Sequence, residues 1–274
     1  MKLTIVCADP AGNITIFVLD RIDDPALRLR AAKALLAEPS LKAEQVGFVI
    51  PPDTAPPAAG SSAGYWRLEM MGGEFCGNAA RSFGLYAARE MGLRGKRDLC
   101  VGISGVPAPV PVHVDLDASA AEAEIPGPRA ETVLSWEGRS LPLYFFDGIS
   151  HLIAEGLRPS RDTAISLAES VRQAGGSAAA LGVMFYDPGH RFMRPAVYVE
   201  ATESLVFESS CGSGTAALAA YLSRELPGGE SRWEISQPGG VIDARVKKHA
   251  GGIGVIGIGG PVGLGGREFV NFSV

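Results

Sequence analysis

Two short runs in this 274-residue chain could place a thiol at the start of a helix. Glu74-Phe75-Cys76-Gly77-Asn78 opens one small-residue run, Ala79 to Arg89, and Ser209-Ser210-Cys211-Gly212-Ser213 opens another, Gly214 to Arg224. When Cys76 is laid on Cys211, Gly77 falls on Gly212, Tyr86 on Tyr221 and Arg89 on Arg224. A free cysteine titrates near ~8.5, and a helix N-terminus favours its thiolate. Unpaired N–H groups and the positive end of the helix dipole supply that preference. The same N–H groups suit a carboxylate, and the glycine after each cysteine lets a ligand approach the backbone closely.

Three chemistries fit these residues. In the first, an amino-acid carboxylate sits between two helix starts. One thiolate removes the Cα proton from one face and the other thiol returns a proton to the opposite face. Charge that develops on the carboxylate is stabilised by the helix N–H groups, and the scheme needs neither metal nor cofactor. The second is a covalent Cys–His catalyst with His151 as base, which uses one thiol and leaves the other idle. In the third, both cysteines simply fill buried helix starts. A zinc site built from Cys76, Cys211 and His151 would block the proton chemistry, and no Cys-x-x-Cys pair occurs.

Composition narrows the partners. Nearly half the residues are hydrophobic (46%), enough for a substantial core, and net charge is −5 with no Lys/Arg run, which argues against a nucleic-acid partner. No run approaches the ~20 apolar residues that cross a bilayer, and the N-terminus enters a strand pattern at once. The expected protein is soluble and cytoplasmic, acting on a small molecule. Cys7 and Cys100 lie in apolar, strand-like runs and read as small buried hydrophobes. His113, His190 and His249 fit no motif and read as surface or loop residues.

The pattern along the chain supplies the elements that must carry the thiols. Strands are expected at Leu3–Val6, Ile14–Leu19, Val46–Ile50, Trp66–Met70, Leu99–Ile103 and Val110–Leu116. Pro25 starts a helix that runs to about Ala37. Pro51 to Gly64 reads as a loop, and Asp117 to Arg129, rich in Ala, Glu, Pro and Gly, as a linker or domain boundary. Further on come strands at Leu141–Phe146, Ala179–Tyr186 and Ala196–Ala201 and a helix over about Ser160–Ala174. The Gly-rich tail reads as sharp bends between short strands. The order of strands, helix, strands and Cys helix occurs roughly twice, which suggests duplication.

The paired motifs resemble the signatures of the diaminopimelate epimerase superfamily, cofactor-independent racemases and epimerases that use two thiols. The resemblance runs over nearly the whole chain. Gly12-Asn13 resembles the family's substrate-binding Gly-Asn, Gly148-Ile149-Ser150-His151 its Gly-Asn-Pro-His element, and Ile258-Gly259-Gly260-Pro261-Val262 its closing Gly-Pro strand. Diaminopimelate epimerases also carry a Glu-Arg pair before the second motif and an Asn in the Gly-Asn-Pro-His element. Here those positions read Val199-Glu200-Ala201-Thr202-Glu203-Ser204, without Arg, and Ile149. The grip on a second amino-acid end is therefore missing. The Glu-Phe-Cys-Gly-Asn-Ala form, with Glu44-Gln45-Val46-Gly47-Phe48, is more similar to the histidine racemases that feed opine-type metallophore synthesis.

The resemblance implies an α/β (α+β) fold of two pseudo-symmetric halves, each a curved, mostly antiparallel sheet around a central helix, with the active site in the cleft between them. Residues 1–117, completed by a strand at 265–274, would form one half and 118–264 the other. It implies Cys76 and Cys211 as the acid/base pair. Asn13, Glu44, Gly77, Asn78, Glu208, Ser209, Gly212 and Ser213 would hold substrate, with His151 and Glu208 setting thiol ionisation. L-Histidine is the leading substrate, and diaminopimelate epimerisation is the alternative within the family. A Cys-dependent transferase or a non-catalytic binding protein is the alternative outside that chemistry. A homodimer is a family-level expectation.

Overall fold

The computed structural model describes residues 2–52, 64–175, 180–199 and 204–271. The expected loop at Pro51–Gly64 thus falls largely outside the described residues, as do 200–203, where the second amino-acid grip is missing from the sequence. The chain begins β1 (Lys2–Asp9), β2 (Thr15–Val18), α1 (Pro25–Ala37), β3 (Gln45–Ile50), β4 (Arg67–Met70), α2 (Gly77–Glu90), β5 (Lys96–Ile103), β6 (Val110–Asp115) and β7 (Ala120–Pro126). It continues with β8 (Ala130–Trp136), β9 (Arg139–Phe145), β10 (Ile149–Glu155), α3 (Arg161–Gln173), β11 (Ala180–Asp187), β12 (Phe192–Val199) and β13 (Ser204–Phe207). Last come α4 (Gly212–Ser223), β14 (Gly229–Gln237), β15 (Gly240–His249), β16 (Gly252–Pro261) and β17 (Gly263–Asn271). Among the described residues no helix is long and apolar enough to cross a membrane.

These elements form an α+β protein with two compact units, residues 1–124 with 259–274 and residues 125–258. In the first unit β1 pairs antiparallel with β17 and β2, β2 parallel with β3, β3 antiparallel with β4, β4 parallel with β5, and β5 antiparallel with β6. In the second unit β9 pairs antiparallel with β8 and β10, β10 parallel with β11, β11 antiparallel with β12, β12 parallel with β14, and β14 antiparallel with β15. The two series are the same series. Each parallel step is a crossover through a helix: α1 or α3 at the first, α2 or α4 at the second. The repeat read from two cysteine motifs is therefore a repeat of strand pairing.

Local chemistry explains the elements that the sequence announces. Asp24 caps α1 by accepting from the Ala26 N–H at 2.9 Å, and Pro25 takes the first helical position, where no N–H is needed. Ser160 caps α3 in the same way, through the Thr163 N–H at 3.1 Å. The central helices differ from these two. α2 is buried from Gly77 to Ala88 and α4 from Gly214 to Ala220, so both are packed on all their faces. Gly84 exists for this packing, since a Cβ there would stand 2.5 Å from a Val112 methyl on β6.

Three expectations need correction. The stretch read as a linker or domain boundary does hold the division between the units, at Glu124/Ile125, but it is strand β7 rather than a linker: Ala121, Ala123 and Ile125 are buried between the outward Glu122 and Glu124, a period-two pattern hidden by the small size of alanine. The glycines of the tail do not break it into short strands. Gly259 and Gly260 lie inside the ten-residue β16, and Gly265 and Gly266 inside the nine-residue β17. Close approach is one reason: a Cβ at Gly259 would meet the Glu122 side chain at 3.1 Å, and one at Gly265 the Cys7 carbonyl at 3.4 Å. Finally, Cys100 is exposed, because only the C-terminal end of β5 enters the core, while Cys7 is half-buried.

Candidate active site

Cys76 and Cys211 occupy the same position in their units, the N-cap of the buried central helix. Their backbones match, with φ −129° and ψ 116° at Cys76 and φ −129° and ψ 113° at Cys211. Each sulfur accepts from the N–H three residues on, Ala79 or Gly214, at 3.4 Å. Cysteine is not a usual capping residue. Here the thiol takes the place of a serine or aspartate oxygen, which puts the sulfur against the positive end of the helix dipole.

In the first unit the substrate-binding candidates form a hydrogen-bonded row behind Cys76. The turn after β1 delivers Asn13: Asp9 accepts from the Gly12 N–H at 2.6 Å, and Ala11 and Gly12 both adopt left-handed φ, 65° and 81°. That turn carries Asn13 inside, 2% exposed. Its Nδ2 donates to Glu44 Oε2 at 2.7 Å, and its Oδ1 accepts from Asn78 Nδ2 at 3.4 Å. Asn78 Oδ1 in turn accepts from Arg81 Nε at 3.3 Å. Three residues read from sequence, Asn13, Glu44 and Asn78, thus come together, while Gly77 is the first residue of α2.

Sequence reasoning missed Arg81. It is fully buried in α2, and its Nη1 donates to the Gly260 and Pro261 carbonyls at 3.1 and 3.2 Å. Gly260 turns its carbonyl there at φ 132°, in the region that favours glycine. A cation in the middle of the run between Ala79 and Ala88 was the available signal. Ser104, at the end of β5, holds the loop that leads to Cys76, accepting from the Met70 N–H and donating to the Glu74 carbonyl, both at 2.9 Å. Gly105, at φ 81°, leaves no room for a Cβ, which would overlap the Phe75 backbone.

In the second unit Cys211 is 7% exposed, whereas Cys76 is half-buried. Burial, and next the Glu208 carboxylate, hold the Cys211 thiol well above its ordinary value. The Gly214 N–H and the Ser213 hydroxyl, 3.6 Å from the sulfur, pull the other way without winning. The helix start therefore does not make Cys211 a resting thiolate, because desolvation outweighs the helix. Ser209 lies in the approach to the helix, its carbonyl accepting from the Gly239 N–H at 2.8 Å. Gly212 begins α4.

His151 lies on β10, fully buried, and neither ring nitrogen has a hydrogen-bond partner. Burial pushes it down to about 3, so the ring is neutral near pH 7. It packs edge-on to Phe146, with ring centroids 5.8 Å apart. Gly182 makes the slot it fills, since a Cβ there would overlap Nδ1, and Gly214 makes the equivalent room for the Met184 sulfur. The Cys211 thiol is shifted by burial first, and then by Glu208, Gly214 and Ser213. Away from both cysteines, His113 faces Asp98 at 2.7 Å and Glu124 at 3.4 Å on the sheet surface, a more charged setting than the sequence suggests.

A repeated α+β unit wound around a buried helix is a fold shared with solved structures of low sequence identity. A Bacillus anthracis phenazine biosynthesis protein of the PhzF family superposes with a TM-score of 0.70 over 99% of this chain and 100% of its own, at 14% identity. Residues 2–268 match the family described as histidine racemase CntK N-terminal domain, and the chain belongs to that family. Histidine racemase of Fusobacterium nucleatum subsp. nucleatum is 32% identical over 88% of both chains, and that of Staphylococcus aureus 26% identical over 85% of both. The protein is an amino-acid racemase, an isomerase acting on a small amino acid.

Proposed function

We propose that the substrate is L-histidine and that Cys76 and Cys211 invert it as a two-base pair. The observation that carries this reading is the matched capping geometry of the two sulfurs, each 3.4 Å from the third N–H of its helix. One thiolate takes the Cα proton and becomes a thiol; the other thiol gives its proton to the opposite face and becomes a thiolate. One proton leaves the substrate, one arrives, and the two sulfurs exchange states. Cys211, held protonated by burial and Glu208, starts as the acid, which leaves Cys76 to start as the base.

The substrate carboxylate would rest on N–H groups at the helix starts, Gly77 and Asn78 on α2 and Gly212 and Ser213 on α4. Charge that develops as Cα loses its proton would be stabilised there. Asn13 and Asn78 fit the α-amino and carboxylate groups. Glu44, fixed by Asn13, is a carboxylate suited to an imidazole N–H. The histidine assignment draws on relatives that carry that name over 85–88% of this chain. D-Histidine would then supply an opine-type metallophore synthesis.

Incubation with L-histidine in deuterated water should place deuterium at Cα and bring optical rotation to zero. Cys76→Ala and Cys211→Ala should each abolish racemisation. Turnover of diaminopimelate with none of histidine would overturn the substrate, and a racemising single-cysteine variant would overturn the two-base scheme.

A further inference from the structure

We propose that Gln237 is a positioning residue that locks the Cys211 peptide, so that the sulfur is aimed by its side-chain torsion alone. Gln237 ends β14 on the core-facing parity of that strand, two residues after the buried Ile235, and is itself 4% exposed. Its Oε1 accepts from the Cys211 N–H at 2.8 Å, and its Nε2 donates to Thr215 Oγ1 at 2.9 Å. The Thr215 hydroxyl donates to the Cys211 carbonyl at 2.7 Å, and the Thr215 N–H reaches the same oxygen at 2.9 Å. The ring closes on one residue: Cys211 is held by both its N–H and its C=O.

A buried glutamine with both ends of its amide engaged is a costly choice unless geometry there matters, because each lost partner leaves a buried polar group unsatisfied. An N-cap residue sits where helical and extended backbone meet, so its φ and ψ are the least constrained of the helix. The lock removes that freedom. It also commits the Cys211 N–H, which leaves the next N–H groups of α4, at Gly212 and Ser213, as the ones a ligand anion can use. The corresponding strand end in the first unit, Ser104, works differently and ties down Glu74, two residues before Cys76.

The inference rests on Cys211 taking part in proton transfer, and the experiment separates the two ideas. In Gln237→Leu, thiol alkylation by iodoacetamide, read by peptide mass at Cys211 and at Cys76, should change several-fold at Cys211 and stay constant at Cys76. For histidine racemisation kcat should fall about tenfold or more with KM little changed, since misplacement of an acid/base group acts on the transition state. Gln237→Glu, which keeps an acceptor for the Cys211 N–H, should recover part of kcat. Thr215→Val should reproduce part of the loss. Melting curves confirm that each variant is folded. A folded Gln237→Leu with wild-type kcat and unchanged Cys211 alkylation overturns the lock. Altered Cys211 alkylation in a protein that racemises no amino acid keeps the lock and overturns the proposed function instead.

Discussion

Asn13 and Glu44, 31 residues apart, meet at 2.7 Å, amide nitrogen to carboxylate oxygen. The contact joins a turn after the first strand to the residue before the third. It also fixes the Glu44 carboxylate. Asn13 passes the constraint on through Asn78 to the helix that starts at Cys76. One chain of side chains thus connects the helix capped by Cys76 to the Glu44 carboxylate.

Glu44→Gln tests that reading. The amide oxygen can still accept from Asn13, so the fold should be kept, but the negative charge is gone. A hydrogen bond to a charged group contributes about 1.5–3 kcal/mol. KM for L-histidine should therefore rise by roughly tenfold to a hundredfold with a smaller change in kcat. Steady-state racemisation followed by polarimetry measures both.

Arg81→Leu should destabilise the first unit without touching the sulfur. The Gly260 and Pro261 carbonyls would lose their charged donor, at a cost of about 1.5–3 kcal/mol. The end of β16 from Gly259 and β17, which return to this unit from the end of the chain, should become the earliest sites of amide exchange. Arg81→Lys should restore part of the loss. Hydrogen exchange mass spectrometry and melting temperature read the two effects.

Glu208→Gln should move the alkaline limb of the pH–rate profile toward lower pH. The carboxylate raises the Cys211 thiol, so its removal lets the thiol lose its proton sooner, and the acid form runs out earlier as pH rises. The shift should appear in kcat for the enantiomer that Cys211 protonates; for the other, where Cys211 is the base, it is the acid limb that should move to lower pH. An unmoved alkaline limb would mean that Cys211 is not the acid.

His151 should make the protein acid-sensitive. Its ring is pushed from 6.5 down to about 3 by burial, so the unfolded chain binds a proton that the folded chain refuses between those values. Stability is therefore full above the unfolded value and falls as pH drops through that window. His151→Leu removes two buried nitrogens that have no partner and should shrink the difference in melting temperature between pH 5 and pH 8. If the ring also has a part in turnover, the same variant loses activity at pH 8, where stability is not the issue.

Much of this was legible in the chain because it is local. Asp24-Pro25 writes a helix start that any water-exposed backbone would obey, and α1 runs from Pro25 to Ala37 as its residues require. The paired Cys-Gly motifs located both central helix starts for the same reason, since capping involves a residue and its third neighbour. β7 was missed because alanine is apolar enough to bury yet too small to mark a strand. Gln237 carried one weak sign, a polar residue on the buried parity of an alternating strand.

What the sequence determined by itself is the chemistry available: two thiols, each bound to become a helix cap, and a set of amide and acidic residues beside them. Tertiary structure decided how that chemistry is biased. Cys76 stays half-buried while Cys211 is buried beside Glu208, so desolvation, which depends on everything packed around a group, pushes the Cys211 thiol up. Arg81 finds its carbonyls 179 and 180 residues away, and Gln237 finds Cys211 26 residues back. Spacing along a chain cannot encode such meetings, because they exist only once the sheet has brought its strands into register.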